Sequence, residues 1–322
     1  MDYINESRRK AILTIGAILV AVPLSKIAYA SEILKVKPKI LGNFSYIYGN
    51  EHLRKDFYNF LVNVFHLYPE DKIHALISSL TKEELYDEDI YIRVQKKLPD
   101  IKPLLGDVTY ALPALSKQKK VIVKQTKELL EDRKDFEGYL ELGSNGRYLD
   151  LLEENVQIKG DTFFLSDFDS TYSPVDMADR GQVLKAGKDL KLNHYKPNLD
   201  NHIAKKSIDL VTVYIGFHHC PVDQREEFIT SIRDAMSDDG VMILRDHNAH
   251  DEKMTKMVAL AHDVFNMGTD ETWEYNEAEL RNFYSLSQLD KMLNKFGFKS
   301  DGRQLYQEGD PTKNALMIYQ KA

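Results

Sequence analysis

The stretch that decides the fold runs from Phe136 to Asp150 and reads FEGYLELGSNGRYLD. An apolar run ends in the acid Glu141, and small and polar residues form a turn over 143–146. Leucine and tyrosine then recur at helical spacing. The pattern predicts a strand, a glycine-containing turn and a helix, which is the first βα unit of a nucleotide-binding type of sheet. Such turns are common, so the rest of the chain decides what this one binds.

The composition is that of a globular protein with a sizeable core. The chain has 322 residues, of which 43% are hydrophobic, and this length suits one large domain or two small ones. The chain has a formal net charge of -7, whereas nucleic-acid-binding proteins are typically basic. We therefore expect no nucleic acid as a partner. The single cysteine, Cys220, cannot form a disulfide within the chain or a cysteine-based zinc site.

The first 30 residues carry the three parts of an export signal. A basic segment, Ser7 to Lys10, precedes an apolar run from Ala11 to Leu24 that is short for a membrane span. Ala28-Tyr29-Ala30 then supplies the small-x-small pattern of a cleavage site. We therefore expect residues 1–30 to be a signal peptide and the mature protein to be exported or periplasmic.

The route and the fate of this segment have alternatives. The pair Arg8-Arg9 resembles a twin-arginine signal, although Ala11 and Ile12 stand where that signal usually has an aromatic residue and a leucine. If cleavage does not occur, residues 11–24 would form a membrane anchor, which is the only membrane contact that we expect.

Residues 31–135 are predicted to form a helical N-terminal region. Within it, residues 31–50 are mixed in character and are interpreted as an extended lead-in. Apolar residues recur at intervals of three and four from Glu51 to Ile92, and Thr81 to Glu84 resembles a capped helix start. A lysine-rich helix from Ala114 to Leu130 is interpreted as a solvated surface rather than a binding face.

After Asp135 the pattern changes to alternating strands and helices, which predicts an α/β fold with a mostly parallel sheet. The last two apolar segments, Arg303 to Tyr306 and Ala315 to Tyr319, leave no room for a helix between them and should form an antiparallel hairpin. The turn from Ser237 to Gly240 should end a helix. The other predicted strands are 138–142, 161–165, 190–193, 208–215 and 241–244, and the predicted helices are 174–186, 225–236 and 285–296.

Four motifs occur in the order that one enzyme family uses. Glu141 to Gly146 resembles the family's acid-x-Gly-x-Gly-x-Gly motif, and strand Ile208 to Val211 with Gly216 to His219 is similar to its fourth strand and Leu-His-His turn. Ala235 to Leu244 resembles the next helix, Pro-Gly-Gly turn and fifth strand, and the final hairpin resembles the reversed seventh strand. Residues 136–322 therefore resemble a class I S-adenosylmethionine-dependent methyltransferase. The resemblance implies a Rossmann-like, seven-stranded, mostly parallel sheet with an antiparallel C-terminal hairpin, beside the N-terminal helical region.

The chain departs from the family pattern at the cofactor motif and at the turn before the fifth strand. Asn145 replaces the second glycine of the first motif, Arg147 stands where the third usually sits, and Asp238-Asp239 replaces Pro-Gly. These differences concern the cofactor geometry more than the fold. S-adenosylmethionine has no pyrophosphate, so this turn suits it better than it suits a dinucleotide.

The resemblance implies that the glycine turn holds the amino-acid end of S-adenosylmethionine. Glu141 would accept a hydrogen bond from the cofactor's ammonium group, directly or through water, and its alternative role is a charge at a helix N-terminus. The turn residues implied as cofactor-binding are Gly143, Ser144, Asn145 and Gly146.

Further cofactor contacts are implied at the ends of the later strands. Asp167 would bind both ribose hydroxyls, with Asp169 and Asp161 as rivals. Asn193 would read the adenine amino group, unless it is an ordinary loop residue. Tyr214 and Gly216 lie where the fourth strand passes the methyl donor.

His218 and His219 are the candidate catalytic residues, because they follow the carboxyl end of a central strand, where open α/β sheets bind ligands. A histidine there can take a proton from the methyl acceptor. The alternative is a structural pair that bonds loop carbonyl groups. Methyl transfer also gains much from positioning alone, so a base is not obligatory.

Two polar segments are candidates for substrate contact. Residues 245–251 contain His247 and could offer histidine and aspartate to zinc or manganese, but no further ligand is evident, so we predict a substrate-facing loop and no metal site. Arg281 and Tyr284 could clamp an acidic or hydroxylated substrate, and packing roles fit them equally well.

We therefore expect a methyltransferase that uses S-adenosyl-L-methionine on a small-molecule methyl acceptor, with the choice among oxygen, nitrogen and carbon left open. Protein substrates stay open as well, and the sequence does not define the oligomeric state. One alternative is a non-catalytic S-adenosylmethionine-binding module, because the glycine motif is weakened and the methyl donor is made inside cells. A nicotinamide-dependent oxidoreductase is a weaker alternative.

The export signal makes a direct prediction for the native protein. Mass spectrometry of the protein from its own cells should find a mature chain that begins at Ser31, because cleavage follows Ala30. An intact Met1 terminus would reject cleavage and leave the membrane anchor.

Overall fold

The computed structural model describes residues 42–103, 112–167 and 187–322. Within these ranges, five helices precede the sheet, with a short π-helical turn, Leu61–Phe65, after the second. Their bounds are Asn43–Tyr48 (α1), Glu51–Phe60 (α2), Glu70–Glu83 (α3), Asp87–Ile101 (α4) and Leu112–Leu130 (α5).

Among the described residues, one sheet of eight strands forms the rest of the scaffold. The strands are Asp135–Leu142 (β1), Gln157–Ser166 (β2), Lys188–Lys191 (β3), Ile208–Val213 (β4), Met236–His247 (β5), Phe298–Ser300 (β6), Leu305–Tyr306 (β7) and Asn314–Lys321 (β8). They lie in the order β3-β2-β1-β4-β5-β8-β6, with β7 also paired to β8. Strands β1 to β5 are parallel, and β8 is antiparallel to β5. The helices among them are Leu149–Glu153 (α6), Arg225–Ala235 (α7), Glu252–Gly268 (α8), Trp273–Ala278 (α9) and Leu286–Lys295 (α10). This confirms the predicted Rossmann-like, mostly parallel sheet with its antiparallel C-terminal hairpin.

The eighth strand arises because the outer edge of the sheet is interrupted. Ser300 pairs with Tyr319 and Leu305 pairs with Leu316, so the edge advances five residues while β8 advances three. The two extra residues form a bulge between β6 and β7. Strand β7 lies within the predicted strand Arg303 to Tyr306, and β6 is a strand that was not predicted.

Two local predictions in the helical region were wrong. Part of the expected extended lead-in is helix α1, because Phe44, Ile47 and Tyr48 are buried at helical spacing and the Asp87 carboxylate accepts from the first backbone N–H. The expected helix start at Thr81 lies inside α3, where its hydroxyl donates to the carbonyl oxygen of Ile77 (2.8 Å).

The turn predicted at Ser237–Gly240 is instead a bulge within β5. Ile208 pairs with Met236 and Leu210 with Val241, so β5 has three more residues than β4 over this stretch. Strands β1 and β2 also begin earlier than predicted, while β3 is shifted by two residues. The predicted helix 174–186 lies outside the described residues.

Helix α8 joins the N-terminal helices to the sheet. One face of α8, with Met257, Leu260 and Val264, shares a hydrophobic core with α1 to α4. The sheet is covered by two further cores, one on each face, and residues Gly42–Ala322 form one compact unit. The fold therefore places α8 between the helical region and the carboxyl ends of the central strands.

None of the helices in the described residues combines the length and the apolar character that a bilayer span requires. The segment 1–30, where the export signal is predicted, lies outside the described residues.

Helix α10 provides a stability prediction through its capping box. Ser285 accepts from the backbone N–H of Gln288 (3.2 Å), and the Gln288 side chain accepts from that of Ser285 (2.8 Å). Ser285→Ala should lower the free energy of unfolding by about 1 kcal/mol in urea titrations. The control Ser79→Ala, at an exposed position inside α3, should change it by less than about 0.5 kcal/mol. Equal effects of the two changes would contradict the capping role.

Candidate active site

The turn after β1 has a left-handed backbone at two glycines, Gly143 (φ +81°) and Gly146 (φ +89°). A Cβ atom would lie 2.2 Å from the Ile215 side chain at the first position and 2.6 Å from another side chain at the second. Asn145 and Arg147, which replace motif glycines, do not have positive φ. The turn therefore keeps glycine at both positions where its backbone needs it.

Glu141, predicted to bind the cofactor's ammonium group, lies inside the fold. Its side chain is fully buried and accepts hydrogen bonds from the hydroxyls of Tyr139 (2.8 Å) and Ser144. Burial raises the pKa of Glu141 above its ordinary value. These contacts fix the turn, and the cofactor contacts of Glu141 and Ser144 stay predictions.

The predicted ribose and adenine ligands lie side by side. Asp167 follows the end of β2, and its Oδ1 accepts from the backbone N–H of Asn193 (3.0 Å), which has a left-handed backbone. The rival Asp161 sits in the first half of β2 and pairs with Lys188 (3.1 Å), about 16 Å along the strand from its carboxyl end. The other rival, Asp169, lies outside the described residues.

Strand β4 brings Gly216 and Tyr214 to different surroundings. Gly216 has φ +75°, and a Cβ there would lie 2.6 Å from the carboxylate of Asp246. The hydroxyl of Tyr214 is 2.8 Å from that of Thr126 on α5, and its ring packs on Tyr148. Gly216 therefore lies against the site, whereas the cofactor contact of Tyr214 stays a prediction.

The carboxylate of Asp246, near the end of β5, organises the loops around it. Its Oδ1 accepts from Nδ1 of His218 (2.7 Å) and from the backbone N–H of His247 (2.8 Å). Its Oδ2 accepts from the backbone N–H of Phe217 (3.0 Å) and from the hydroxyl of Tyr284 (2.6 Å). Four donors thus satisfy both oxygens of a carboxylate that is 2% exposed.

These donors set the charge of Asp246. Burial alone would raise its pKa, but the His218 imidazole and the hydrogen bonds of His218 and Tyr284 hold the pKa of Asp246 well below its ordinary value. An ionised carboxylate only accepts hydrogen bonds, so Nδ1 of His218 carries a proton. In the neutral imidazole, Nε2 then has a lone pair. That atom is buried and has no hydrogen-bond partner among the described residues.

Four imidazoles meet at this point, and we call them the histidine cluster: His218, His219, His247 and His262. The His218 ring centroid lies 4.2 Å from that of His219, 5.5 Å from that of His247 and 5.2 Å from that of His262. The Phe283 ring packs beside three of them. Helix α8 supplies His262, and the ends of β4 and β5 supply the others.

The Nδ1 atoms of the cluster face protein acceptors. Nδ1 of His219 is 3.0 Å from the carbonyl oxygen of Leu280, and Nδ1 of His262 is 3.8 Å from Oε2 of Glu279. Burial opposes ionisation of Glu279, but the nearby His262, His219 and Arg281 side chains hold the pKa of Glu279 well below its ordinary value.

The same burial affects the imidazoles. It lowers the pKa of His219 to about 4, with a further decrease from the neighbouring His218. It also lowers the pKa of His247 to about 4 and that of His262 well below its ordinary value. These three imidazoles are therefore neutral at pH 7, and each has one nitrogen lone pair.

The predicted substrate residues are part of this architecture. His247 lies in the cluster, with Nδ1 3.2 Å from the carbonyl oxygen of Thr312. The Tyr284 hydroxyl donates to Asp246, so it orients the His218 partner. Direct substrate contact of either residue stays a prediction.

Arg281 is engaged with protein groups on three sides. It donates to Asp263 (2.7 Å), to Glu279 (2.7 Å) and to Asn276 (2.6 Å), and its side chain is 12% exposed. These bonds position Glu279 behind the histidine cluster. A substrate clamp by Arg281 stays a prediction.

Sequence reasoning did not single out Asp246, His262 or Glu279 as site residues. Asp246 could have been predicted from the sequence, because it lies near the end of a strand adjacent to the one that precedes His218. No local motif marks His262 or Glu279, which are far from either strand end in the sequence. Tertiary packing brings them to the site, His262 on α8 and Glu279 directly after α9.

Comparison with known families gives one match. A family model described as "Methyltransferase domain" matches residues 115–301, which is more than half of the 322 residues. No curated protein sequence matches the chain.

Solved structures with a similar fold include the pyocyanin biosynthetic protein PhzM, with 14% identity and a TM-score of 0.46 over 85% of this chain and 74% of that one. The 1,6-didemethyltoxoflavin-N1-methyltransferase of Burkholderia thailandensis has 10% identity and a TM-score of 0.42 over 72% of this chain and 87% of that one. The mitomycin 7-O-methyltransferase MmcR has 11% identity and a TM-score of 0.43 over 82% of this chain and 70% of that one. Similarity at this level says nothing about what this chain binds.

The family match covers the glycine turn, the five parallel strands and the histidine cluster together. The nicotinamide-dependent alternative has no support from it. The chain belongs to the methyltransferase-domain family and is an S-adenosylmethionine-dependent methyltransferase.

Proposed function

We propose that the chain transfers the methyl group of S-adenosylmethionine to an oxygen, nitrogen or carbon atom of a small molecule that binds beside the histidine cluster. The observation that carries the proposal is the Nε2 atom of His218, which is buried, oriented through Asp246, and without a hydrogen-bond partner among the described residues. Buried polar atoms in native structures nearly always have a hydrogen-bond partner, and a bound ligand would supply one to this atom.

The residues at the edge of the sheet fit the methyl donor. Gly143 and Gly216 present bare backbone at the ends of β1 and β4. Asp167 has acceptor capacity beyond its bond from Asn193, as a ribose diol requires. When bound, S-adenosylmethionine supplies a methyl group on a positively charged sulfur, which needs no phosphate site.

The enclosure of the cluster favours a small acceptor. Side-chain exposure is 3% for His218, 16% for His262 and 24% for His219. Such narrow access suits a small molecule better than the surface of a folded protein. The net charge of -7 argues against nucleic acid.

The chemical task of the chain is proton removal and alignment. An O–H, N–H or C–H acceptor loses one proton for each methyl group that it gains. We assign this proton removal to the histidine cluster, with His218 at its centre and Asp246 as its positioning residue. Alignment of the acceptor for in-line attack supplies the rest.

The non-catalytic alternative loses its main argument. The two motif glycines that are missing stand where the turn does not use a left-handed backbone, so Asn145 and Arg147 impose no conformational penalty there. The two replacements are therefore compatible with the backbone conformation of the turn and do not argue against catalysis.

The glycine turn predicts a loss of cofactor affinity that is separable from stability. Gly143→Ala should weaken S-adenosylmethionine binding at least about tenfold in isothermal titration, because a Cβ there requires left-handed strain and meets Ile215. Gly302→Ala is the matched control, since Gly302 also has a positive φ (+88°) but has no atom within 4 Å of its Cβ position. It should cost about 1–2 kcal/mol of stability and leave binding unchanged. Equal affinity in wild type and Gly143→Ala would contradict the assigned cofactor site.

The acceptor side is tested with His218→Ala. Transfer of labelled methyl from S-adenosylmethionine should be measured on a panel of phenols, carboxylic acids, amines and carbon acids. The substitution should lower the rate on any accepted compound by about 10²- to 10⁴-fold, with cofactor affinity within about threefold of wild type. His52→Ala, at a side chain that is 76% exposed, should retain the full rate. Unchanged turnover in His218→Ala, or no transfer by the wild type to any class, would contradict the proposal.

A further inference from the structure

We propose that the histidine cluster binds one divalent transition-metal ion through His218, His219 and His262. One ring nitrogen from each of these residues lies within 4.8 Å of those of the other two. They come from two separate elements, the loop after β4 and helix α8, so their convergence is a product of the fold. The sequence predicts no metal site because the polar segment after β5 lacks enough ligands by itself.

The outer contacts prepare three nitrogens as ligands. Nδ1 of His218 donates to Asp246, Nδ1 of His219 to the Leu280 carbonyl oxygen, and Nδ1 of His262 faces Glu279. Because Nδ1 of each ring faces a protein acceptor, Nε2 is the atom that each residue offers to an ion. Metal-binding histidines in proteins are oriented in this way by a carboxylate or a carbonyl behind the ring.

The charges around the cluster suit a cation. Two carboxylates lie behind the imidazoles: Asp246, which is buried, 2.7 Å from His218, and Glu279, which is 18% exposed, 3.8 Å from His262. Arg281 balances part of the Glu279 charge. The imidazoles add no negative charge, so a divalent ion would find compensation in the layer behind its ligands.

The donor set narrows the class of ion. Imidazole nitrogen favours zinc, iron, nickel and copper over magnesium and calcium, which prefer oxygen. Three nitrogens around tetrahedral Zn²⁺ lie about 3.4 Å apart. Small movements of the rings would bring the three ring nitrogens, now within 4.8 Å of one another, to that distance. Three histidines leave one position of a tetrahedral ion open. The ring of His247 lies 5.6 Å from that of His262.

The role of the ion rests on the proposed function. An ion with an open position can bind the acceptor's oxygen or nitrogen and lower its pKa, so that the proton leaves to water before the acceptor atom takes the methyl group. The Nε2 lone pair of His218 then serves as a ligand, and proton removal by the cluster proceeds through the ion. Metal binding and methyl-donor binding use different residues, so they can be tested separately.

The test uses the full chain, treated with a chelator and then dialysed against Zn²⁺ alone, with bound zinc measured by elemental analysis. Wild type should bind one equivalent. His262→Ala and His219→Ala should each weaken binding at least about 100-fold, because loss of a ligand exceeds loss of an outer contact. Glu279→Gln should weaken it about 10- to 100-fold as a positioning change. His52→Ala, which is exposed and outside the cluster, should bind as wild type does.

Thermal melting checks that each variant is folded, and His219→Ala, at the more exposed ligand, is the variant to use if His262→Ala does not fold. Equal zinc affinity in wild type and a folded ligand variant, or no saturable binding by wild type, would overturn the metal site. Titration of the same samples with S-adenosylmethionine separates the two claims. Methyl-donor binding without zinc binding would overturn the metal site alone, and zinc binding without methyl-donor binding would support it and overturn the proposed function.

Discussion

The four hydrogen bonds to the carboxylate of Asp246 are the constraint on which the site depends. They tie the end of β5 to the turn after β4 and to the segment before α10. A buried carboxylate is costly unless its oxygens are satisfied, so the loss of any donor would disturb the others. The same bonds fix the orientation of His218 and leave Nε2 as its lone-pair nitrogen.

The sheet topology explains why these groups meet. Strands β1, β4 and β5 are adjacent and parallel, so their carboxyl ends lie side by side. The glycine turn after β1, the histidines after β4 and His247 at the end of β5 therefore lie on the same side of the fold. Helix α8 then crosses between these strand ends and the N-terminal helices, with an apolar face toward the helices and His262 in the cluster. The helical region therefore supports the site through α8 rather than by supplying histidines to the cluster.

The sequence-based predictions succeeded where the signal is local. The strand and helix periodicity, the glycine turn and the histidines after β4 all lie within short windows, and their predicted fold is confirmed. Helix α1 was missed because a six-residue amphipathic segment has almost no periodicity to detect. Glu279 and His262 were missed because only tertiary packing brings residues so distant in sequence together. Glu141 and Arg281 have protein groups as partners in the structure, and their predicted ligand contacts stay predictions.

The central claim is that Asp246 holds His218 with a proton on Nδ1 and a lone pair on Nε2. Nitrogen-15 spectra of chelator-treated, histidine-labelled protein at pH 8 measure this directly, with Asp246→Asn and His218→Ala used for assignment. The account predicts that Nδ1 of His218 is protonated and Nε2 is not, and that Asp246→Asn disturbs this preference. A proton on Nε2 of His218 in the wild-type protein would contradict it.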